Sequence, residues 1–209
     1  QMLPDSQVDV VIKDICEHIG LTYNFDVFPA RVPNAMAYMI DGKRVVMYSP
    51  EFIETEIHHL PERLHARFDI ALVTIGVLGW MPDVARFMRQ VATTLKPGGT
   101  LVMYETHPFL EMLDPQSSDP WRISGSYFQT EPVVEQKAIV YEGQGAPIGL
   151  ASYWHIHRLG DVMAGVLGAG LQLRGFSEYP HSNREELYDV YEGAVVQVPM
   201  CYTLVAVNA

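Results

Sequence analysis

The apolar positions of this chain fall into short unbroken runs and longer stretches at helical spacing. Phe68-Asp69-Ile70-Ala71-Leu72-Val73-Thr74-Ile75 is a short run, which predicts a strand buried on both faces. A turn carrying Gly76, Gly79, Trp80 and Pro82 follows. From Asp83 to Leu95 the residues Val84, Phe87, Met88, Val91, Ala92 and Leu95 recur at helical spacing. Lys96-Pro97-Gly98-Gly99 should end that helix, with a cation at the last carbonyls, a proline that cannot continue, and glycines free to take positive φ. A second buried strand, Thr100 to Tyr104, leads into Glu105-Thr106-His107-Pro108-Phe109. The pattern predicts one β–α–β unit. Its loops lie at the carboxyl ends of two strands, where open α/β sheets bind ligands.

The flanks read less regularly. Asp5-Ser6 can cap a helix over residues 7–19, with Val8, Val11, Ile12, Ile15 and Ile19 as its stripe. Residues 21–28 suggest a strand ending at Pro29, and residues 37–48 a β-hairpin turning at Asp41-Gly42. Ser49-Pro50 suits another helix start. Residues 110–152 are irregular, and Trp121, Tyr127 and Phe128 there suit either a substrate site or lid packing. A helix near 159–169, a strand at 171–176 and a last strand at 199–207 complete the chain. His155 and His157 share one side of an extended segment, but no third ligand has metal-site spacing.

Composition narrows the functional classes. Hydrophobic residues make up 48% and charged residues 19%, enough for a packed core. The net charge of −11, with only 14 Lys+Arg, disfavours nucleic acid and anionic membrane as partners. No run approaches the roughly 18 apolar residues of a membrane span. Cys16 and Cys201 make no disulfide framework, so a reducing, cytoplasmic setting is the expectation.

Two resemblances sharpen these expectations. Residues 7–54, above all NFDVFPARVPNAMAYMIDGKRVVMYSPEFIE, resemble the segment that precedes the zinc helix of gluzincin-type metallopeptidases. The first histidine of the HExxH motif is missing, because Glu54 occupies its place, so the zinc site is not encoded. From residue 52 onward, FIETEIHHLPE, FDIALVTIGVLGWMPD, LKPGG, VMYETHPF, SGSYFQTEPVVEQ and YWHIHRLGD are together similar to class I S-adenosylmethionine-dependent methyltransferases.

That second resemblance implies a specific site. Glu56 would accept from the adenine amino group, and Ile57 would pack on the ring. Thr74, Ile75, Gly76 and Val77 would line the cofactor pocket, with Trp80 covering it or belonging to the core. His107 would serve as the base, oriented by Glu105. No Gly-rich turn follows an early strand, so the resemblance covers the second half of the family's domain.

The expected fold is α/β: a partial Rossmann-like methyltransferase sheet (52–209) with an added N-terminal α/β segment (1–51). The expected function is methyl transfer from S-adenosyl-L-methionine to a small-molecule acceptor. The alternatives are an inactive methyltransferase-like binding protein, or a metallopeptidase relative without its zinc helix. The edge of the 68–75 strand then needs covering, by the 37–48 hairpin or by a second copy in a homo-oligomer.

Overall fold

A computed structural model describes residues 25–32, 35–40, 43–48, 62–135, 152–182 and 186–209, the first three segments as backbone strands. The expected helices at 7–19 and after Ser49, and the Asp41-Gly42 turn, lie outside the described residues.

The centre of the molecule is one seven-stranded sheet. Its strands are β1 (Phe25–Val32), β2 (Ala35–Ile40), β3 (Lys43–Tyr48), β4 (Phe68–Val73), β5 (Leu95–Thr106), β8 (Leu171–Tyr179) and β9 (Cys201–Asn208). The order across it is β1-β2-β3-β4-β5-β9-β8. A separate two-stranded ribbon pairs β6 (Val133–Glu135) with β7 (Ser152–Trp154).

β4 is buried along nearly all its length, as an apolar run with neighbours on both sides requires. It runs parallel to β5, with Ile70 opposite Thr100 and Val73 opposite Met103. On its other side it runs parallel to β3, with Val45 opposite Ile70. β2 and β3 form the expected antiparallel hairpin, Ile40 facing Lys43. The hairpin therefore covers the β4 edge within one chain. β9 inserts antiparallel between β5 and β8, so the sheet ends in the expected antiparallel pair.

The connection from β4 to β5 is helix α1 (Val84–Thr94). Asp83, in extended conformation, accepts from the Arg86 N–H at 2.8 Å through Oδ1, which satisfies one of the first-turn donors. The predicted stripe faces the sheet, and Phe87, Met88 and Val91 are fully buried. Helix α2 (Leu159–Gly168) packs beside α1. A Cβ on Gly165 would lie 3.3 Å from Ala85 Cα, so the missing side chain sets how closely the two helices approach. Among the described residues no helix is long and apolar enough to cross a membrane.

The end of α1 departs from expectation. Strand geometry begins at Leu95, which pairs with Phe68 before the ladder slips and resumes at Thr100. Gly98 takes φ +77, but within β5 and not as the helix stop, since the helix already ends at an extended Leu95. The Lys96 ammonium bonds Asp69 on β4 at 2.7 Å instead of the helix carbonyls. The Asn208 side-chain amide takes up the Leu95 and Lys96 carbonyls, at 3.0 and 3.2 Å.

Truncating Phe87 to alanine should open a cavity between α1 and the sheet and cost about 3–5 kcal/mol. Urea unfolding would show a lower midpoint with an unchanged slope.

Candidate active site

The segment after β4 turns sharply over the top of the sheet. Thr74 is buried, Ile75 half-buried, and Gly76 adopts φ +82, a conformation a side chain resists. A single 3₁₀ turn, Leu78–Trp80, carries the chain on towards α1. Glu105, near the end of β5, holds this turn from below. Its Oε2 accepts from the Gly76 N–H at 2.7 Å and its Oε1 from the Leu78 N–H at 3.1 Å. With 3% of its surface exposed, this carboxylate is tolerated because backbone donors converge on it.

A strap from the end of β7 crosses the same turn. The His155 N–H donates to the Gly79 carbonyl at 2.7 Å. A Cβ on Gly79 would lie 2.4 Å from the Trp154 ring, so the indole lies flat on that glycine. Trp80 meets Trp154 edge-on, with ring centroids 5.8 Å apart. His157 Nε2 lies 2.6 Å from the Met81 carbonyl, and its ring stacks near His155. Burial pushes the His157 imidazole below its ordinary value, so the neutral ring donates its N–H to that carbonyl.

Between turn and strap lies a cleft at the carboxyl ends of β4 and β5, lined by Glu105, Glu111, Trp154, His155, His157 and Tyr202 among others. Its volume is about 40 Å³, room for a few water molecules. Glu111 accepts from the Trp154 indole N–H at 3.1 Å, and burial raises its carboxyl above the usual range.

The predicted site residues divide into distinct groups. Thr74, Ile75 and Gly76 form the turn beside the cleft, and Glu105 lines it. Val77 is fully buried in the core, and Trp80 packs partly against that core. His107 is buried and does not line the cleft. Its Nε2 bonds Glu178 of β8 at 2.9 Å, and its Nδ1 accepts from the Phe109 N–H at 3.0 Å. The expected pairing with Glu105 is thus replaced by Glu178, and both ring nitrogens are committed. Burial outweighs Glu178 and sets the His107 pKa below its ordinary value. Glu56 and Ile57 lie outside the described residues.

Of the three aromatics from the irregular segment, none lines the cleft. Tyr127 accepts from the Leu159 N–H at the start of α2, Phe128 lies under Arg158, and Trp121 packs edge-on against Tyr191. Sequence reasoning missed Glu111, Trp154 and Tyr202. The only local signal for Trp154 was a tryptophan beside two histidines directly after a short strand. Among the described residues no group of three or more His, Cys, Asp or Glu is arranged to hold a metal ion.

With this geometry, comparison with known proteins is informative. A family model described as a methyltransferase domain matches residues 13–103. No curated protein matches the sequence. Among solved structures, a protein from Listeria monocytogenes assigned to the S-adenosylmethionine-dependent methyltransferases matches with TM-score 0.52 and 13% identity, covering 79% of each chain. An S-adenosylmethionine-dependent methyltransferase from Mesorhizobium loti has TM-score 0.44 and 19% identity over 78% of this chain and 79% of its own. One from Methanosarcina mazei has TM-score 0.46 and 13% identity over 76% and 72%.

The Listeria structure and the strand order together establish the fold as Rossmann-like, of the class I methyltransferase type. The resemblance of residues 7–54 to metallopeptidases is not supported. The methyltransferase-domain match begins inside that segment, and β1 to β3 belong to the same sheet as β4 and β5.

Two predictions follow from the buried groups. In Glu105→Gln the amide nitrogen would confront a backbone N–H, leaving a buried donor unsatisfied at about 1–3 kcal/mol, measurable by chemical denaturation. His107 and His157 are both held below the 6.5 of a free imidazole. Below that pH the unfolded chain therefore binds more protons than the folded one, and stability should fall with pH until the folded values are passed. Thermal melts from pH 7 to 5 should show this slope, reduced in His157→Gln.

Proposed function

We propose that this protein transfers a methyl group from S-adenosyl-L-methionine to a small molecule. The observation that carries the reading is the acidic and aromatic lining of the cleft at the carboxyl ends of β4 and β5. Among the described residues no lysine or arginine lines it, while Glu105 and Glu111 supply carboxylates and Trp154 and Tyr202 supply rings. Such a lining fits a sulfonium ion, a cation wrapped in apolar carbon. The fold and the methyltransferase-domain match support the same cofactor.

When bound, the cofactor supplies an electrophilic methyl group on a positively charged sulfur. The chain's work is to align and to shield. Thr74, Ile75 and Gly76 form the cofactor wall, where the glycine lets backbone approach closely. Val77 and Trp80 support that wall from the core side. Glu105 keeps the wall in place and adds negative charge. Glu56 and Ile57 remain the proposed adenine contacts, and the segment 1–51 contributes β1 to β3 to the same sheet as the half-domain 52–209. His107, with both nitrogens engaged, is a strut between β5 and β8 in this reading and not a base. The strap at Trp154–His157 limits water at the reacting end, and alignment supplies most of the rate.

A non-catalytic binding protein is the second reading, favoured by the small cleft. Titration calorimetry with S-adenosylmethionine and S-adenosylhomocysteine, followed by product analysis, separates the two. Micromolar binding of both with methylated product supports the transferase. Binding without turnover across broad acceptor mixtures supports the second reading, and absence of binding by either ligand sinks both.

A further inference from the structure

The cleft is lined by two carboxylates in different settings. Glu105, on β5, is held by the backbone of the turn after β4. Glu111 belongs to the turn after β5 and faces the strap. One of its carboxylate oxygens holds the Trp154 indole N–H, and the other has no hydrogen-bond partner among the described residues. Around it stand the Trp154 ring, His155 and His157 of the strap, and Tyr202 of β9.

We propose that the acceptor is a small amine, received as its ammonium ion by Glu111 against the Trp154 ring. This rests on the methyltransferase reading and names its substrate class. A carboxylate with one oxygen not engaged by the described residues, in a cleft lined by aromatic rings, is the chemistry that recognises an ammonium group. Among the described residues no lysine or arginine stands around it. Burial favours the neutral form of His157, the Tyr202 hydroxyl stays protonated, and Glu105 accepts from two backbone donors. An anionic acceptor would meet two carboxylates and, among the described residues, no lysine or arginine.

The same geometry supplies the proton path. An ammonium ion has no lone pair and must lose a proton before it can attack. Glu111 accepts that proton on its uncommitted oxygen, and the freed nitrogen lone pair forms the bond to the methyl carbon. The carbon–sulfur bond breaks with its electron pair going to sulfur, leaving a neutral thioether. The product is the N-methyl ammonium ion, and the proton on Glu111 passes to solvent on release. Burial raises the Glu111 pKa, which makes it a better acceptor than an exposed carboxylate.

The test needs no knowledge of the natural acceptor. Phenethylamine and 2-phenylethanol have the same carbon frame and differ in the ammonium group. Their binding to the full chain is followed by the Trp154 indole N–H resonance, assigned with Trp154→Phe. Phenethylamine should bind about tenfold or more tightly than the alcohol. Glu111→Gln keeps an acceptor for the indole, so the preference should vanish while binding of 2-phenylethanol changes less than about twofold. Equal binding of amine and alcohol to the unmodified protein overturns the proposal, as does a preference that survives in Glu111→Gln. An intact amine preference without any S-adenosylhomocysteine binding supports the amine site and overturns the methyltransferase reading instead.

Discussion

Glu105 is the constraint on which the upper surface of the sheet depends. Its carboxylate reaches from β5 to two backbone donors in the segment after β4, and so fixes one crossover's exit against the other's end. A turn containing a left-handed glycine and a short 3₁₀ segment has few internal bonds, and without that carboxylate its N–H groups would need water. Burying the acid is costly alone, and burying the donors is costly alone. Together they satisfy each other, and the turn gains one geometry. Once the turn is fixed, Gly79 presents a flat surface, and the strap has something to lie on.

Much of the fold was legible in the sequence, for identifiable reasons. β4 is an apolar run between punctuation, and α1 has a capping aspartate and a stripe of five apolar residues at the right spacing. The hairpin announced itself through two strands separated by two turn-forming residues. What could not be read were relationships set by tertiary partners. Glu105-Thr106-His107 has the look of an acid–base pair, yet His107 lies just past the end of β5 and the two side chains find different neighbours. Glu105 reaches a turn nearly thirty residues earlier, and His107 reaches β8. Lys96 looked like a helix-end cation and found Asp69 across the ladder instead. The cleft's own lining was hidden more deeply. Glu111 and Trp154 meet only because the irregular segment between them returns to the sheet, and no local period encodes that return.

The N-terminal strands show how local likeness can mislead. The hairpin sequence alone matched a segment that in another family precedes a zinc helix, since a short amphipathic hairpin is common to many folds. Its placement discriminates where its residues do not. β3 runs parallel to β4, which puts the hairpin beside the central strands of a Rossmann-like sheet.

The insertion of β9 between β5 and β8 carries a consequence for how the chain reaches its final state. β5 is long and largely apolar, and one of its edges pairs only with a strand made long after it during synthesis. Until Cys201–Asn208 emerges, that edge presents open hydrogen-bonding groups beside a hydrophobic face. α1 can dock early, because it follows β4 directly and brings its own buried stripe. The nascent protein thus passes through a stage with half a sheet and one exposed seam, during which chaperones or premature pairing with another copy compete for the place β9 will take.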